Sequence, residues 1–153
     1  MPDGTTAPTA EAGTGSEPGR GALHGIRVVE IGSLVAAPYA AKLLGDYGAD
    51  VVKVEPPAGD PLRTLDADFF DNLNTSKRSV ALDLDGEEGR RTLAALVAKA
   101  DVVVEDLPPG RLAELIGDPW AGHPDLVVAS VTPYGQDGPR AHWKGGDLVG
   151  WAG

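Results

Sequence analysis

The sequence contains no cysteine among its 153 residues. That absence excludes a disulfide framework, a thiol nucleophile and thiolate metal sites, and it fits a reducing compartment. No uninterrupted apolar run approaches the length of a bilayer-spanning helix, and no basic patch followed by an apolar stretch opens the chain, so no secretory signal is visible. We expect a cytoplasmic protein without a membrane partner. The three scattered histidines predict no metal site.

Basic residues are also scarce. The chain has 13 Lys and Arg against 23 Asp and Glu, which gives a formal net charge of -10. Such a field repels nucleic acid and anionic membranes, so neither is a predicted partner. It repels any anionic ligand at long range as well. A phosphorylated ligand would therefore require that the few cations be gathered locally.

The composition that is present, 42% hydrophobic and 24% charged, indicates one globular domain. Residues 1–22 are rich in Gly, Pro, Thr, Ala and Glu and have no large apolar residue before position 23 other than the initial Met. A segment of this kind cannot bury enough surface to offset its ordering entropy. We predict a disordered tail over residues 1–22 and a domain over residues 23–153.

Short β-rich runs alternate with helical patterns through the domain. The predicted strands are residues 26–31, 50–55, 79–84, 101–105 and 126–131, and the predicted helices are residues 36–47, 86–99 and 111–116. Residues 56–68 are predicted to be a long polar loop. Strands that are apolar on both faces and alternate with helices indicate an α/β fold: a doubly wound, mainly parallel sheet with helices on both faces.

Ligands of such sheets bind beyond the carboxyl ends of the strands. This rule directs attention to four loops, which span residues 32–37, 56–63, 106–110 and 132–137. We expect them to form one site.

Five segments carry a resemblance to a known family. They read LHGIRVVEIGSLVAAPYAAKLLGDYGADVVKVEPPAGDPLR, NTSKRSVALDL, ADVVVEDLPPG, ASVTPYGQDGP and GGDLVGWAG. In this order they resemble the N-terminal portion of family III (CaiB/BaiF-type) CoA-transferases, such as formyl-CoA and carnitine CoA-transferases. The resemblance covers residues 23–153.

The resemblance implies a Rossmann-like large domain, incomplete here at its C-terminus, and an interlocked homodimer in the full-length family. It implies transfer of CoA from an acyl-CoA thioester to a free carboxylic acid through an aspartyl intermediate. Coenzyme A or acyl-CoA is then a substrate, and no permanently bound cofactor is expected. The nucleophilic Asp is expected beyond Gly153, and Asp147 is a different aspartate of the closing segment. No catalytic residue is therefore predicted within the chain, which we expect to be a truncated product, a gene fragment or part of a split enzyme.

The predicted CoA-binding residues are Val35, Ala36, Lys53, Arg63, Lys77, Leu82, Asp106 and Leu107. The three cations among them are candidates for CoA phosphates, and small residues such as Ala36 allow close approach of a backbone to a ligand. Two alternatives stay open: Lys53 is a solvated surface cation, and Lys77 or Arg78 pairs with a core carboxylate such as Glu55 or Asp83.

Asp106 departs from the family pattern, which has Asn at this position. An ionised Asp only accepts hydrogen bonds and repels phosphates. This substitution predicts a weaker phosphate site.

Two other functions compete. A dinucleotide-binding oxidoreductase domain has the same strand–turn–helix–strand layout, but the turn here reads GSLVAA instead of GxGxxG. A non-catalytic subunit that associates with a full-length relative would expose apolar surface for docking.

Overall fold

The computed structural model describes residues 21–145, which form five strands and five helices. In chain order these are β1 (Arg27–Ile31), α1 (Ala36–Asp46), β2 (Asp50–Glu55), α2 (Leu62–Leu65), α3 (Ala67–Leu73), β3 (Arg78–Ala81), α4 (Glu87–Val97), β4 (Val102–Glu105), α5 (Arg111–Ile116) and β5 (Val127–Ser130). The predicted tail lies outside the described residues except for Gly21 and Ala22. Residues 146–153, including Asp147, also lie outside them.

The strands form one sheet in the order β3-β2-β1-β4-β5, and every neighbouring pair is parallel. The predicted doubly wound α/β fold is confirmed. The sheet first grows from β1 through β2 to β3, and the chain then returns to place β4 on the other side of β1. The carboxyl ends of β1 and β4 therefore mark the point where the winding reverses, which is the usual ligand position in such sheets.

Alternate residues of the central strands face two different helical layers, as the period of a strand requires. On one face, Val28, Val51 and Val104 pack with Ala37 and Ala41 of α1. On the other face, the core is built from larger aliphatic side chains of the sheet, α4 and α5. They are Val29, Ile31, Val54, Leu93, Val97, Val103, Leu112 and Leu115.

Local signals explain where the helices begin and end. Glu87 and Glu88 occupy the first turn of α4, where carboxylates interact favourably with the helix dipole. Gly48 follows α1 with a φ of 100°, and Gly117 follows α5 with a φ of 77°. These left-handed conformations end both helices at little steric cost because glycine has no Cβ.

The prediction of a loop over residues 56–68 is wrong from Leu62 onward, where α2 and α3 form. The side chain of Asp66 caps α3 by accepting a hydrogen bond from the Phe69 N–H at 3.0 Å. Leu62, Phe70 and Leu73 then form a small apolar cluster of their own. The predicted strand 79–84 also ends earlier, at Ala81. No helix within residues 21–145 combines the length and the apolar character needed to cross a membrane.

Candidate functional site

The loops that follow the strands meet at the carboxyl edge of the sheet, as predicted. The Ser33 N–H, after β1, donates to the carboxylate of Asp106, after β4, at 3.0 Å. The Gly110 N–H, at the start of α5, lies 3.4 Å from Oε1 of Gln136, in the loop after β5. These contacts join three of the four predicted loops into one rim. The hydrogen bond from the Leu34 N–H to Asp60 Oδ1, at 3.2 Å, joins the fourth loop, residues 56–63, to it.

The β1–α1 turn (residues 32–35) forms an exposed part of this rim. Leu34 and Val35 are 42% and 45% exposed, and Ala36 begins α1 and is also exposed. Leu34 has a φ of 60°, a left-handed conformation that is uncommon for a residue other than glycine. The predicted ligand-binding residues Val35 and Ala36 therefore stand at an accessible edge, on a turn with an unusual backbone.

Behind this turn lies a buried charge cluster, which consists of Glu30, Lys53, Asp60 and Lys77. Glu30 bridges the two lysines: its Oε1 accepts from Lys53 Nζ and its Oε2 accepts from Lys77 Nζ, both at 2.7 Å. Asp60 Oδ2 lies 2.9 Å from Lys53 Nζ. Two cations and two anions thus neutralise one another inside the protein, which is the condition under which buried charge is tolerated.

Backbone and amide oxygens complete the surroundings of both ammonium groups. Lys53 Nζ donates to the Gly32 carbonyl at 2.8 Å. Lys77 Nζ donates to the Pro38 carbonyl at 2.7 Å and to Asn74 Oδ1 at 2.9 Å. Each ammonium group therefore has three oxygen neighbours, which matches its three hydrogens. Burial lowers the pKa of Lys77, against the opposing effect of Glu30.

Asp60 connects the cluster to the β1–α1 turn and to the start of α2. Its Oδ1 accepts from the Leu34 N–H at 3.2 Å and from the Leu62 N–H at 2.9 Å. Its Oδ2 forms the ion pair with Lys53 and has no directed hydrogen bond among the described residues. Burial alone would raise the pKa of Asp60, but the Leu62 amide and Lys53 outweigh it and lower that pKa.

Arg63 is the accessible cation of this region, with 43% of its side chain exposed. Its guanidinium binds Glu55 through two hydrogen bonds, of 2.7 and 2.8 Å, and lies 4.0 Å from the centre of the Phe70 ring. The bond to Arg63, with the Asp60 N–H and despite the burial of the carboxyl, lowers the pKa of Glu55 to about 2. Arg63 is thus held in place while part of it faces solvent.

A cavity of about 130 Å³ lies between these groups and α3. Its lining consists of Lys53, Glu55, Arg63, Phe70, Asp71, Asn74, Lys77 and Ser79. Pockets that enclose drug-sized ligands measure about 300–1,000 Å³. The cavity is therefore too small to enclose a nucleotide, and any large ligand here would extend along the open rim.

At the end of β4, Asp106 is half-buried and burial raises the pKa of its carboxyl, against the opposing effect of the Ser33 amide. The next N–H, of Leu107, donates to Glu105 Oε2 at 2.7 Å. The Leu107 and Leu82 side chains are half-buried and pack against the aliphatic core beneath α4 and α5.

The eight predicted site residues therefore occupy three places. Val35, Ala36 and Asp106 line the rim between β1 and β4. The three cations lie on the α1 side of the sheet, two of them buried, and the two leucines pack on the opposite side. The alternative of Lys53 as a solvated surface cation is wrong because its side chain is 1% exposed. The role of the eight residues in CoA binding stays a prediction.

The alternative that Lys77 or Arg78 pairs with a core carboxylate is confirmed for Lys77, although that carboxylate is neither Glu55 nor Asp83. Lys77 pairs with Glu30, and Arg78 pairs with Asp50 at 2.6 Å. Glu55 is not free for either because Arg63 occupies it.

Glu30 and Asp60 were not predicted as site residues. A signal for Glu30 was available: a carboxylate inside the apolar run IRVVEI must find a cation once that run is buried. Lys53, inside the run DVVKVE, offers the matching charge on the next strand. No comparable signal marks Asp60, which lies in a loop. Within residues 21–145, no group of three or more His, Cys, Asp or Glu side chains could hold a metal ion.

Comparisons with known proteins identify the family. The family described as CoA-transferase family III matches residues 23–153. The chain is 38% identical over 151 residues to a succinyl-CoA–L-malate CoA-transferase alpha subunit of Chloroflexus aurantiacus, covering 90% of this chain and 35% of that protein. It is 36% identical over 140 residues to the succinyl-CoA:glutarate CoA-transferase of Mus musculus, covering 83% and 32%.

A solved structure gives the same result. The crystal structure of a CaiB/BaiF family protein from Brucella suis superposes with a TM-score of 0.80 at 37% identity, over 85% of this chain and 38% of that one. The chain spans about a third of the length of the curated relatives that it matches.

Proposed function

The chain belongs to CoA-transferase family III, and we propose that it forms the CoA-binding region of an enzyme that moves CoA from an acyl-CoA thioester to a free carboxylic acid. The observation that supports this most is the rim at the carboxyl ends of β1 and β4. There the winding of the sheet reverses, and the β1–α1 turn presents Val35 and Ala36 to solvent.

CoA is proposed to lie along this rim as a substrate that arrives and leaves in each turnover. The protein has a net charge of -10 and therefore offers few cations to the phosphates of CoA. Arg63 is the predicted cation that combines exposure with a fixed position, because Glu55 and Phe70 hold its guanidinium. We propose that Arg63 attracts a phosphate with the edge of the guanidinium that faces solvent.

The transfer step is proposed to use an aspartate that the family resemblance places beyond Gly153. Its carboxylate attacks the thioester carbonyl and expels CoA as a thiolate, which leaves a mixed anhydride. The thiolate then attacks the aspartyl carbonyl, releases the first carboxylic acid and leaves an aspartyl–CoA thioester. The acceptor carboxylate attacks this thioester and expels CoA thiolate, which gives a second mixed anhydride. The thiolate then attacks the acyl carbonyl of the acceptor, which forms the new acyl-CoA and releases the aspartate. Transfer is therefore proposed for a polypeptide that includes this aspartate, and CoA binding for residues 23–153.

Calorimetry on the 153-residue chain tests the binding proposal. CoA and NADH are titrated in parallel at an ionic strength of about 0.15 M, where the long-range repulsion by the net charge of -10 is screened beyond about 8 Å. We expect CoA to bind and NADH to give no saturable heat. Tight NADH binding together with no CoA binding would replace this proposal with the dinucleotide-binding alternative.

A homodimer is also proposed for the full-length protein. The support is a row of exposed apolar side chains on and just after α1, one helical turn apart: Tyr39, Leu43 and Tyr47 are 50%, 40% and 61% exposed. Sedimentation equilibrium of the full-length protein checks the assembly. A monomer across the accessible concentration range would contradict it.

A further inference from the structure

We propose that Lys53 and Asp60 are positioning residues that hold the β1–α1 turn in its ligand-binding shape. This inference rests on the proposed function because the turn carries Val35 and leads into Ala36. It assigns Lys53 a different role from the phosphate contact that its position in the sequence suggested.

The first observation is that side chains bind polar backbone groups of three residues of the turn, Gly32, Ser33 and Leu34. The Ser33 and Leu34 N–H groups donate to Asp106 and Asp60, respectively. The Gly32 carbonyl accepts from Lys53. Three consecutive residues of the turn are therefore held by side chains that originate on three other segments of the chain.

The second observation is the conformation of Leu34. Its φ of 60° is sparsely populated for a residue with a branched side chain. Leu34 is 42% exposed, so packing restrains it only in part. The directed contact that the turn makes at this residue is the hydrogen bond from its N–H to Asp60. Because such a conformation persists only where its surroundings enforce it, Asp60 is the group that enforces it.

The third observation is that Lys53 has no capacity left for a ligand. Its side chain is 1% exposed, and oxygens of Glu30, Gly32 and Asp60 surround its Nζ at 2.7, 2.8 and 2.9 Å. A phosphate would have to displace one of these oxygens and enter the core. Lys53 instead fixes both the end of β1 and the carboxylate that holds Leu34.

The test compares Asp60→Ala with Asp60→Asn in the 153-residue chain. The Ala variant removes both the acceptor for the Leu34 N–H and the ion pair with Lys53. The Asn variant keeps an oxygen acceptor and removes only the charge. Asp118→Ala is the matched control because Asp118 also accepts a hydrogen bond from the N–H two residues later, that of Trp120, at 2.9 Å, but lies outside the four rim loops.

Two measurements are made on each variant. Hydrogen exchange reports the protection of the Leu34 amide, and calorimetry reports the dissociation constant of CoA. We expect Asp60→Ala to speed exchange at Leu34 about tenfold, with β1 still protected, because local opening becomes easier. We expect it to weaken CoA binding by about tenfold because a preorganised turn is lost. Asp60→Asn is expected to give smaller changes in both, and Asp118→Ala to match the parent chain.

A second comparison separates positioning from phosphate contact. In the double variant Lys53→Met with Asp60→Asn, the buried cluster loses one charge of each sign. If Lys53 positions the turn, CoA and pantetheine, which has no phosphate, lose affinity by similar factors. A loss confined to CoA would overturn the positioning role of Lys53.

The other outcomes are also decisive. Unchanged Leu34 exchange in both Asp60 variants, or unchanged CoA affinity with Leu34 freed, would overturn the inference while leaving the proposed function intact. If Asp60→Ala does not fold, the Asn variant decides, because it removes the charge that pairs with Lys53; no change in either measurement would then overturn the inference. A parent chain with no CoA affinity would overturn the proposed function itself and this inference with it.

Discussion

The two faces of the sheet bury different kinds of side chain. Beneath α4 and α5, the core consists of aliphatic side chains such as Leu93 and Val97. Beneath α1, the apolar core is smaller, and Glu30, Lys53 and Asp60 are buried beside it, near the carboxyl edge. Aliphatic burial stabilises a fold without specifying direction, whereas a buried ion cluster adds little net stability but fixes the geometry of the groups it binds. The comparison indicates that one face supplies stability and the other shapes the rim.

The largest effect is expected when one lysine of the buried charge cluster is removed and its carboxylates are left in place. Lys53→Met leaves Glu30 and Asp60 buried with one cation between them, and we expect a loss of about 3–5 kcal/mol in the free energy of unfolding. Urea denaturation measures it. Lys42→Met, which removes a more exposed ion pair with Asp46, is the control and is expected to lose less than about 1 kcal/mol. An equally small loss in Lys53→Met would contradict the assignment of a buried cluster.

The aliphatic face is tested by Leu93→Ala. Leu93 is fully buried, so its truncation removes apolar contacts and leaves a cavity. We expect a loss of about 3 kcal/mol in urea denaturation, with the CoA dissociation constant unchanged under conditions where the variant is folded. Leu65→Ala, at a side chain that is 73% exposed, is expected to change stability by less than about 0.5 kcal/mol. A CoA affinity that fell with Leu93→Ala would mean that the two faces are not separable.

The pH dependence of the charged face depends on Glu55. Its pKa of about 2 lies below the ordinary 4.5, so its ionised form stabilises the folded state above about pH 4.5, and that stability is lost as the pH falls towards about 2. Arg63→Leu is expected to raise the pKa of Glu55, as measured by carboxyl NMR titration, and to flatten the loss of stability in that range. Arg63→Lys keeps the charge but loses the bidentate hydrogen bonding. We expect its Glu55 pKa to lie between that of the parent chain and that of Arg63→Leu. An unshifted Glu55 in Arg63→Leu would be inconsistent with the pair.

The pKa of Asp106 is shifted in the opposite direction to that of Glu55. Burial raises its pKa above the ordinary 3.8, so its contribution to stability declines as the pH rises through that value and up to the higher pKa of the folded state. Asp106→Asn is expected to remove this decline. It is also expected to tighten CoA binding at neutral pH by about fivefold, because one repulsive charge near a phosphate is worth about 1 kcal/mol in a well-solvated setting. Weaker binding by the Asn variant would count against a phosphate near Asp106.

The smallest expected effect concerns a strained residue away from the rim. Ser76 is exposed and has a φ of 64°, which disfavours any side chain with a Cβ. Ser76→Gly is expected to raise the free energy of unfolding by about 0.5 kcal/mol, since relief of this strain exceeds the added entropy of the unfolded chain. Thermal denaturation measures the change. Destabilisation would indicate that the Ser76 side chain makes a useful contact.

Much of the fold was predictable because its signals are local. Apolar runs such as IRVVEI and DVVKVE, separated by helical spacing, predict strands and helices in the observed order. Residues 62–73 were not predictable in the same way. Their helices are too short to show a clear period, and the cluster of Leu62, Phe70 and Leu73 stabilises them only once the chain has folded.

The candidate site was predictable in outline only. The loops were identified from the rule that ligands bind beyond the carboxyl ends of parallel strands. The contacts of Ser33 and Gly110 join three of the four loops. The partners within the cluster were not predictable. Glu30 and Lys77 are separated by 47 positions. The sequence around a lysine beside a strand is equally consistent with a surface cation and with a buried one.

The α/β class, the alternation of strands and helices and the resemblance to family III can all be read from the sequence, because periodicity and motif order are properties of neighbouring residues. The burial of Lys53 and Lys77 around one carboxylate, and the hydrogen bond from the Leu34 amide to Asp60, arise only in the folded chain. Burial and pairing depend on which strands become neighbours. The same lysine is a phosphate candidate when it faces solvent and a structural ion when three protein oxygens surround it.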